Sequence, residues 1–258
     1  MKPRFADIGR FHMHECVSTQ DYLRTHIEEL AHHLPICITS TSQTGGRGRE
    51  GRSWHSPPGL GLYLSWGFLL QRREALPWVP LAAGEAVAAS LETFCKGHEI
   101  RLKWPNDILI RGCKAAGILS ESRITAAGAL CMCGIGINLN HRETDFPPEL
   151  RRQATSLRLI CGNTLLPETV LERILRNLSR IHQQLEAGRF RRLRAKIRRR
   201  TRWMRSTPLA FRQAGVLRKG HFGGIASDGG MILITESGLK ETCYSGEVSL
   251  EKQPVNRR

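Results

Sequence analysis

The most unusual stretch of the sequence is a loop in which glycines alternate with arginines. It spans residues 43–54 and reads QTGGRGREGRSW. Glycine lets backbone N–H groups approach an anion, and the guanidinium forks of Arg47, Arg49 and Arg52 match phosphate oxygens. The Lys-Ser/Thr ending of a Walker A loop is missing, which excludes a P-loop ATPase. Two interpretations remain open: a phosphate-binding loop, and a flexible basic loop or RGG-like contact with nucleic acid.

A second polar block reads KWPND and occupies residues 103–107. It interrupts an alternating apolar pattern, and side chains at such a break can point into a cleft. Lys103, Asn106 and Asp107 would supply a cation, an amide and a carboxylate there, although an ordinary Asn-Asp turn is the alternative. Lys114 follows a tight turn and precedes an apolar strand, so it either points at the same cleft or is a solvated surface lysine.

Short apolar segments must position these two blocks. Ser18 followed by Asp21 indicates the start of a helix, which Pro35 would stop after Leu34. Apolar runs and turn residues predict strands over residues 36–38, 60–70, 100–104, 107–110, 114–119 and 129–137. Helical periodicity predicts helices over residues 80–96 and from residue 167 to the break at Gly188.

The positive charge of the chain is concentrated near its end. The chain has 258 residues and a formal net charge of +16. Residues 1–187 are nearly balanced, whereas residues 189–205 contain ten Lys or Arg and no acidic residue. This segment is predicted to be a helix with Phe190, Leu193 and Ile197 on one face. Two readings remain open: an amphipathic helix docked on the main domain, and a surface that binds nucleic acid or another anion.

The last part of the chain has the pattern of short strands. From Pro208 onward, turns are predicted at residues 223–224, 228–230, 237–238 and 245–246, which suits a small β-barrel. The order of elements therefore predicts an α+β fold, with a main domain followed by a β-rich unit.

Composition excludes several classes. With 40% apolar residues the chain can bury a core, so disordered and fibrous proteins fit poorly. The longest apolar run, residues 60–70, is far shorter than a membrane span, and no signal peptide is evident. Eight cysteines lack a CxxC pair, which argues against a disulfide framework or a zinc site. We expect a cytoplasmic protein without membrane contact.

The motifs taken together resemble those of the biotin protein ligases. In chain order they are Ser18-Thr19, the 43–54 loop, the 103–107 block, KAAGILSE at 114–121, GIGIN at 134–138 and TSL at 155–157. The resemblance covers nearly the whole chain, and the loop and the KWPND block are specific in combination. The basic segment 189–205 is not part of the family pattern.

The resemblance implies a fold and a two-step reaction. The fold is a mixed-sheet catalytic domain of the biotin/lipoate ligase type over residues 1–205, followed by an SH3-like β-barrel over residues 206–258. ATP and Mg²⁺ convert biotin to biotinyl-5′-AMP, and a lysine of a biotin carboxyl carrier protein then attacks this mixed anhydride.

The resemblance also implies residue roles. The catalytic residues are Lys114, Arg49 and Asp107. The biotin-binding residues are Ser18, Thr19, Gln43, Gly46, Arg47, Lys114 and Gly117. The residues expected to bind ATP or the adenylate are Arg47, Gly48, Arg49, Arg52, Trp54, Lys103, Asn106 and Asn138. Asn106 and Asp107 would hold Mg²⁺.

Related functions are weighed against the ligase. Some biotin protein ligases carry an N-terminal winged helix and repress transcription, but Ser18-Thr19 begins so early that we expect no repressor activity and no sequence-specific DNA binding. A lipoate ligase or octanoyl transferase would share the catalytic fold, yet would not combine the two motifs. Weak contacts with anionic partners through residues 189–205 remain open.

Overall fold

The chain forms two β-sheets in a computed structural model that describes residues 8–205, 207–213, 216–244 and 246–250. The first sheet has seven strands in the order β1-β2-β3-β7-β6-β5-β4. Its strands are β1 (Gly9–Cys16), β2 (Ile36–Gln43), β3 (Gly61–Leu70), β4 (Ile100–Lys103), β5 (Asp107–Ile110), β6 (Cys113–Thr125) and β7 (Gly128–Asn138). Because β1 runs parallel to β2 while the other pairs are antiparallel, the sheet is mixed.

Five α-helices accompany the sheets in the described part of the chain. They are α1 (Thr19–His26), α2 (Val79–Leu91), α3 (Leu157–Cys161), α4 (Pro167–Glu186) and α5 (Phe190–Thr201). Ser18 caps α1 by accepting a hydrogen bond from the backbone N–H of Asp21, as predicted. The prediction that this helix reaches Leu34 is wrong: α1 ends at His26, and a 3₁₀ turn over Glu29–His33 buries none of its residues, so little packing holds a longer helix.

Alternation along β7 shows which elements cover each face of the first sheet. Cys133 and Ile135 belong to the larger core, which includes the apolar faces of α2 and α4. Leu130 and Met132 point to the opposite face and join a smaller core with α1. The helices α2, α4 and α5 therefore lie on one face, and α1 lies on the other.

The second sheet is antiparallel, in the order β11-β10-β9-β8-β12. Its strands are β8 (Pro208–Gln213), β9 (Val216–Ile225), β10 (Met231–Thr235), β11 (Lys240–Cys243) and β12 (Glu247–Leu250). The turns predicted at 228–230 and 237–238 are present. The turn predicted at 223–224 is wrong, because β9 continues through Gly224, which has a φ of 121° beside a register shift in β10. The predicted turn at 245–246 falls partly outside the described residues.

The predicted α+β class, a mixed sheet followed by a smaller β unit, is confirmed. Trp104 joins the two parts, because its ring lies 6.0 Å from that of Phe211. The division at residues 205 and 206 stays a prediction. Among the described helices, none combines the length and apolar character needed to cross a membrane.

The basic helix α5 is docked on the main sheet. Leu193 and Ile197 are buried, and Phe190 stacks on Trp78 with ring centroids 5.7 Å apart. This confirms that one apolar face is packed inward. Arg200 is the exception among the basic residues of the segment, because its side chain is only 2% exposed.

Buried acidic partners explain the position of Arg200. Its guanidinium pairs with Glu85 of α2 and with Glu92, the latter at 2.8 Å, and donates to the carbonyl of Ile100. Burial alone would lower the pKa of Arg200, but the hydrogen bond to Glu92 and the nearby Glu85 raise it above its usual value. The arginine therefore stays charged and ties α5 to α2 and β4.

Candidate active site

A cleft of about 900 Å³ opens on the α1 side of the first sheet. Every predicted site residue except Gly46 lines it. The lining residues from the prediction are Ser18, Thr19, Gln43, Arg47, Gly48, Arg49, Arg52, Trp54, Lys103, Asn106, Asp107, Lys114, Gly117 and Asn138. Segments that are far apart in the sequence thus meet at one site.

Gly46 lies within the loop and does not face the cleft. A Cβ atom there would come within 2.6 Å of both the Ser56 hydroxyl and the Trp54 carbonyl oxygen. The backbone N–H of Trp54 donates to the Gly46 carbonyl at 2.8 Å, so the loop folds back on itself at this point. A side chain at residue 46 would push the two arms of the loop apart.

Two glycines form the floor of the cleft beneath Trp54. Gly117 of β6 and Gly136 of β7 are paired in register. A Cβ atom on Gly136 would lie 2.4 Å from the Trp54 indole nitrogen, and one on Gly117 would lie 2.9 Å from the same ring. The glycines therefore let the indole lie against the sheet, where its N–H is buried without a hydrogen-bond partner among the described residues.

One end of the cleft is a network of small polar groups. The Gln43 amide oxygen accepts from the Thr19 backbone N–H at 2.9 Å, and its NH₂ group donates to the Ser56 hydroxyl at 2.9 Å. Ser65 donates to the Thr19 hydroxyl at 3.0 Å. These bonds fix the orientation of the Gln43 amide at the N-terminus of α1.

Gln20 is a cleft residue that the site prediction missed. It lies in the first turn of α1 and is 3% exposed. Its amide NH₂ donates to Glu121 at 2.9 Å, and its oxygen accepts from Ser65 at 3.1 Å. Its position directly after Ser18-Thr19 was the sequence signal that could have identified Gln20 as a cleft residue.

Lys114 and Asp107 form the charged centre of the cleft. The Lys114 ammonium lies 2.7 Å from a carboxylate oxygen of Asp107 and 5.2 Å from the centre of the Trp54 ring. The predicted tight turn delivers Lys114, since Arg111 and Gly112 both have positive φ values, 52° and 79°. A cation and a carboxylate therefore stand side by side above the glycine floor.

Asn106 is held against β6 next to this pair. Its side-chain NH₂ donates to the Ile118 carbonyl at 2.7 Å, and its own carbonyl accepts from the Ile118 N–H at 3.0 Å. Both bonds fix the strand break, and Asn106 is among the residues that line the cleft.

The glycine-arginine loop is a short hairpin over the cleft. Arg47 bridges to Ser53, and the Gly48 N–H donates to the Arg52 carbonyl at 2.7 Å. Glu50 and Gly51 make the tip, with positive φ values of 55° and 72°. The hairpin thus has defined backbone hydrogen bonds between its two arms.

Arg47 points to acidic side chains at the rim of the cleft. Its guanidinium lies 2.6 Å from Asp21 and 3.8 Å from Glu121. Asp21 also pairs with Arg24 at 2.8 Å. In this arrangement Arg47 connects the loop to α1 and β6.

Asn138 holds backbone segments together below the cleft. It is 5% exposed, and its NH₂ donates to the carbonyls of Lys114 and Thr155, at 3.2 and 3.0 Å. The Thr155 N–H in turn donates to the Lys114 carbonyl at 2.9 Å. Asn138 thereby fixes the backbone that carries Lys114, a role that its predicted contact with adenosine did not include.

A histidine beside the cleft was not predicted. His141 is fully buried, stacks on Phe146 with centroids 4.7 Å apart, and has no described hydrogen-bond partner at either ring nitrogen. Burial, with a smaller effect of His55, lowers the pKa of His141 to about 4. The ring is therefore neutral at neutral pH. Phe146 and His55 both line the cleft.

Comparisons with protein-family profiles and with solved structures point to the same family. Residues 14–138 match the sequence profile described as the Biotin/lipoate A/B protein ligase family. The structure of a biotin protein ligase from Aquifex aeolicus in complex with biotin and ATP superposes with a TM-score of 0.79 at 30% identity, covering 95% of this chain and 99% of that one.

Curated relatives agree with the structural neighbours. A biotin–[acetyl-CoA-carboxylase] ligase of Paracoccus denitrificans is 30% identical over 209 residues, which cover 76% of this chain and 82% of the relative. The bifunctional ligase/repressor BirA of Bacillus subtilis is 38% identical over 143 residues, 54% of this chain. That match spans only 43% of the length of BirA.

Proposed function

Because the chain belongs to the biotin/lipoate A/B protein ligase family, we propose that it is a biotin protein ligase that works through biotinyl-5′-AMP. One observation carries the proposal: the glycine floor, the Lys114–Asp107 pair and the arginine hairpin line one cleft. At about 900 Å³, the cleft is large enough for a small acid and a nucleotide side by side.

The polar network would bind the biotin ring. A ureido group needs donors for its carbonyl and acceptors for its two N–H groups, and Ser18, Thr19 and Gln43 offer both kinds. Because Gln43 is already fixed by Thr19 and Ser56, the site is preorganised and binding would require little reordering of side chains. Gly117 would act indirectly, because its missing Cβ atom lets the Trp54 ring lie against the sheet.

Lys114 would act at the junction between biotin and ATP. Its ammonium can stabilise the biotin carboxylate and the α-phosphate as the carboxylate oxygen attacks phosphorus and pyrophosphate leaves. The backbone of Gly48, with Arg49, Arg52 and Lys103, would bind the phosphates and exclude water from the mixed anhydride.

Trp54 and Asn138 belong to the proposed adenosine side. The Trp54 ring is a flat apolar surface against which a base can stack. Asn138 would act by keeping the Lys114 backbone in place. Arg47, which pairs with Asp21, would couple closure of the hairpin to the helix that binds biotin.

Asp107 would serve the transfer step. The amine nitrogen of the acceptor lysine forms a bond to the acyl carbon of biotin, and the bond from that carbon to the phosphate oxygen breaks, so AMP leaves. The free pKa of a lysine is about 10.4, so the amine must lose a proton. Asp107, beside the reacting atoms, can accept this proton once Lys114 has turned to the phosphate.

Mg²⁺ would enter as part of the nucleotide substrate. Asp107 contributes a carboxylate and Asn106 an amide oxygen, both suitable for this ion. The described residues contain no group of three or more His, Cys, Asp or Glu that could bind a metal. Two protein ligands are consistent with Mg²⁺ that keeps its waters and the phosphate oxygens.

The proposed acceptor is the carrier domain of a biotin-dependent carboxylase. The naming of the Paracoccus relative supports this choice. We also propose a ligase without repressor activity. The eight free thiols suit the reducing cytoplasm as its location.

Labelling of carrier domains tests this function. The protein is incubated with ATP, Mg²⁺, biotin and a carboxylase carrier domain, and biotin on the acceptor lysine is detected with streptavidin. A lipoyl domain offered with lipoate or octanoate is the parallel reaction. Labelling of the carrier domain alone supports the proposal, and labelling of the lipoyl domain alone would assign the chain to the lipoate branch of the family.

A further inference from the structure

The exposed side of α5 carries charge that the proposed ligase reaction does not use. Of the ten basic residues in segment 189–205, Arg200 is buried and Arg194 is half-buried, while the others are exposed. Among the described residues, no carboxylate lies within 4.0 Å of any of these nine remaining groups. We call this set, without Arg200, the basic face.

The basic face is held rigidly by the packing of its other side. Phe190, Leu193 and Ile197 are packed inward, and Arg200 is paired with Glu85 and Glu92. The backbone that carries the charges is thus ordered before any partner arrives, so binding would order side chains only.

The spacing of the charges forms two stripes along the helix. Arg191, Arg198 and Arg202 follow one another at intervals of seven and four residues, which lie on one side of a helix. The second stripe consists of Arg192, Lys196 and Arg199. At a rise of about 1.5 Å per residue, the basic face carries roughly one positive charge per 3 Å, which is close to the phosphate spacing of about 3.4 Å along one strand of a duplex.

We propose that the basic face binds the phosphate backbone of a double-stranded nucleic acid without reading its sequence. Eight of its nine side chains are arginines, whose planar fork binds phosphate oxygens in pairs.

Other anionic partners fit the basic face less well. The one apolar side chain exposed on α5 is that of Ala195, so the described helix has nothing to insert into a bilayer. Protein interfaces usually combine arginines with buried aromatic or apolar side chains at their centre, and α5 exposes no apolar side chain larger than that of Ala195.

A single strand is also disfavoured, because it would need an exposed aromatic ring for stacking. The two rings near the basic face are otherwise engaged. Phe190 stacks on Trp78, and Trp203 donates its indole N–H to the Leu102 carbonyl at 3.2 Å. The remaining partner is a duplex whose phosphate backbone contacts the basic face.

The basic face and the cleft lie on opposite faces of the first sheet. α5 packs with the larger core, to which Ile135 points, whereas Gly134 and Gly136 line the cleft. Because these residues alternate along β7, the two surfaces are separated by the sheet. Charge removal on α5 is therefore expected to leave adenylation unchanged.

Fluorescence anisotropy with a labelled DNA duplex tests the proposal in the whole protein. If six phosphates are contacted, the slope of log affinity against log salt is about −5, and affinity falls about a thousandfold between 50 and 200 mM salt. A flat salt response overturns the proposal. Tighter binding of poly-glutamate, anionic vesicles or a single strand than of the duplex, at equal salt, overturns it as well.

Matched variants locate the binding surface. Removing one stripe with the triple variant R191Q/R198Q/R202Q should reduce the magnitude of the salt slope by about three, since each phosphate contact contributes about one. The control variant R24Q/R123Q/K240Q removes the same charge from α1, β6 and β11, and the slope should not change. Equal effects of the two triples would show that net charge alone is responsible and refute the site.

A charge-preserving variant distinguishes an effect of charge on binding from an effect of the substitutions on folding. R191K/R198K/R202K keeps the three cations and should retain a slope near that of the unmodified protein. If the lysine variant loses the slope while its thermal melt is unchanged, charge on α5 is not what binds the duplex.

Discussion

Removal of the Lys114 ammonium is expected to slow formation of biotinyl-5′-AMP. The substitution Lys114→Met keeps the aliphatic length and deletes the cation that lies 2.7 Å from Asp107. Negative charge concentrates at this point as the biotin carboxylate attacks the α-phosphate, so loss of the cation should slow the first half-reaction.

The size of the effect follows from the geometry. A hydrogen bond from a charged group is worth about 1.5–3 kcal/mol, which corresponds to about one to two decades in rate. The Lys114 side chain is 36% exposed, so solvent screening keeps the effect in this range and below that of a fully buried charge.

Single-turnover formation of the adenylate measures this loss directly. The enzyme is mixed in excess with labelled ATP and biotin, and biotinyl-5′-AMP is quantified over time. Lys96→Met, at an exposed lysine after α2, is the matched control and should behave like the unmodified protein. A Lys114→Met rate within twofold of the control, with an unchanged thermal melt, would refute the assignment of Lys114 to the reaction.

Three further substitutions have separate expected outcomes. Arg49→Gly should loosen the hairpin and release the adenylate, which would be measured as diffuse biotin labelling of bystander lysines by mass spectrometry. Arg200→Met should lower the free energy of unfolding by about 3–5 kcal/mol in urea melts, because it leaves Glu85 charged, buried and unpaired. His141→Phe should flatten the pH dependence of stability. The pKa of His141 is about 4 in the folded chain and about 6.5 in the unfolded chain. The unfolded chain therefore binds a proton first, and stability is lost as the pH falls from about 6.5 to about 4.

Each of these outcomes has a contrary result. Retention of the adenylate by Arg49→Gly would show that another group closes the hairpin. Arg199→Met, at the exposed neighbouring residue, should change stability by no more than about 0.5 kcal/mol, and an equal loss in both arginine variants would argue against the buried pair. An unchanged pH profile in His141→Phe would mean that the acid sensitivity comes from other groups.

Sequence reasoning predicted the elements whose signals are local. The strands predicted from residue 60 to residue 137 are apolar and bounded by turn residues, and each overlaps one of β3 to β7, although β6 continues to Thr125, six residues beyond its predicted end. Strand β1 was missed, because it lies at the edge of the sheet and its sequence, GRFHMHEC, is mostly polar and exposed. A strand without a buried face has no alternation to detect.

Long-range contacts explain what the sequence could not provide at the site. The resemblance implied that Lys114 and Asp107 belong to one site, and the structure brings both to the cleft. The motifs did not predict that Trp54 lies on Gly136, since 82 residues separate the two and the contact depends on the absence of a Cβ atom. Arg200 likewise contacts Glu85 only in the folded chain, and a segment-by-segment count of charge cannot reveal this ion pair.

Exchange of labelled pyrophosphate into ATP tests the central claim most directly, because it reports reversible adenylation without any acceptor protein. Exchange should require biotin and Mg²⁺ and should fall by one to two decades in Lys114→Met. Exchange that is absent with biotin but present with lipoate or octanoate would contradict the proposal that this cleft makes biotinyl-5′-AMP.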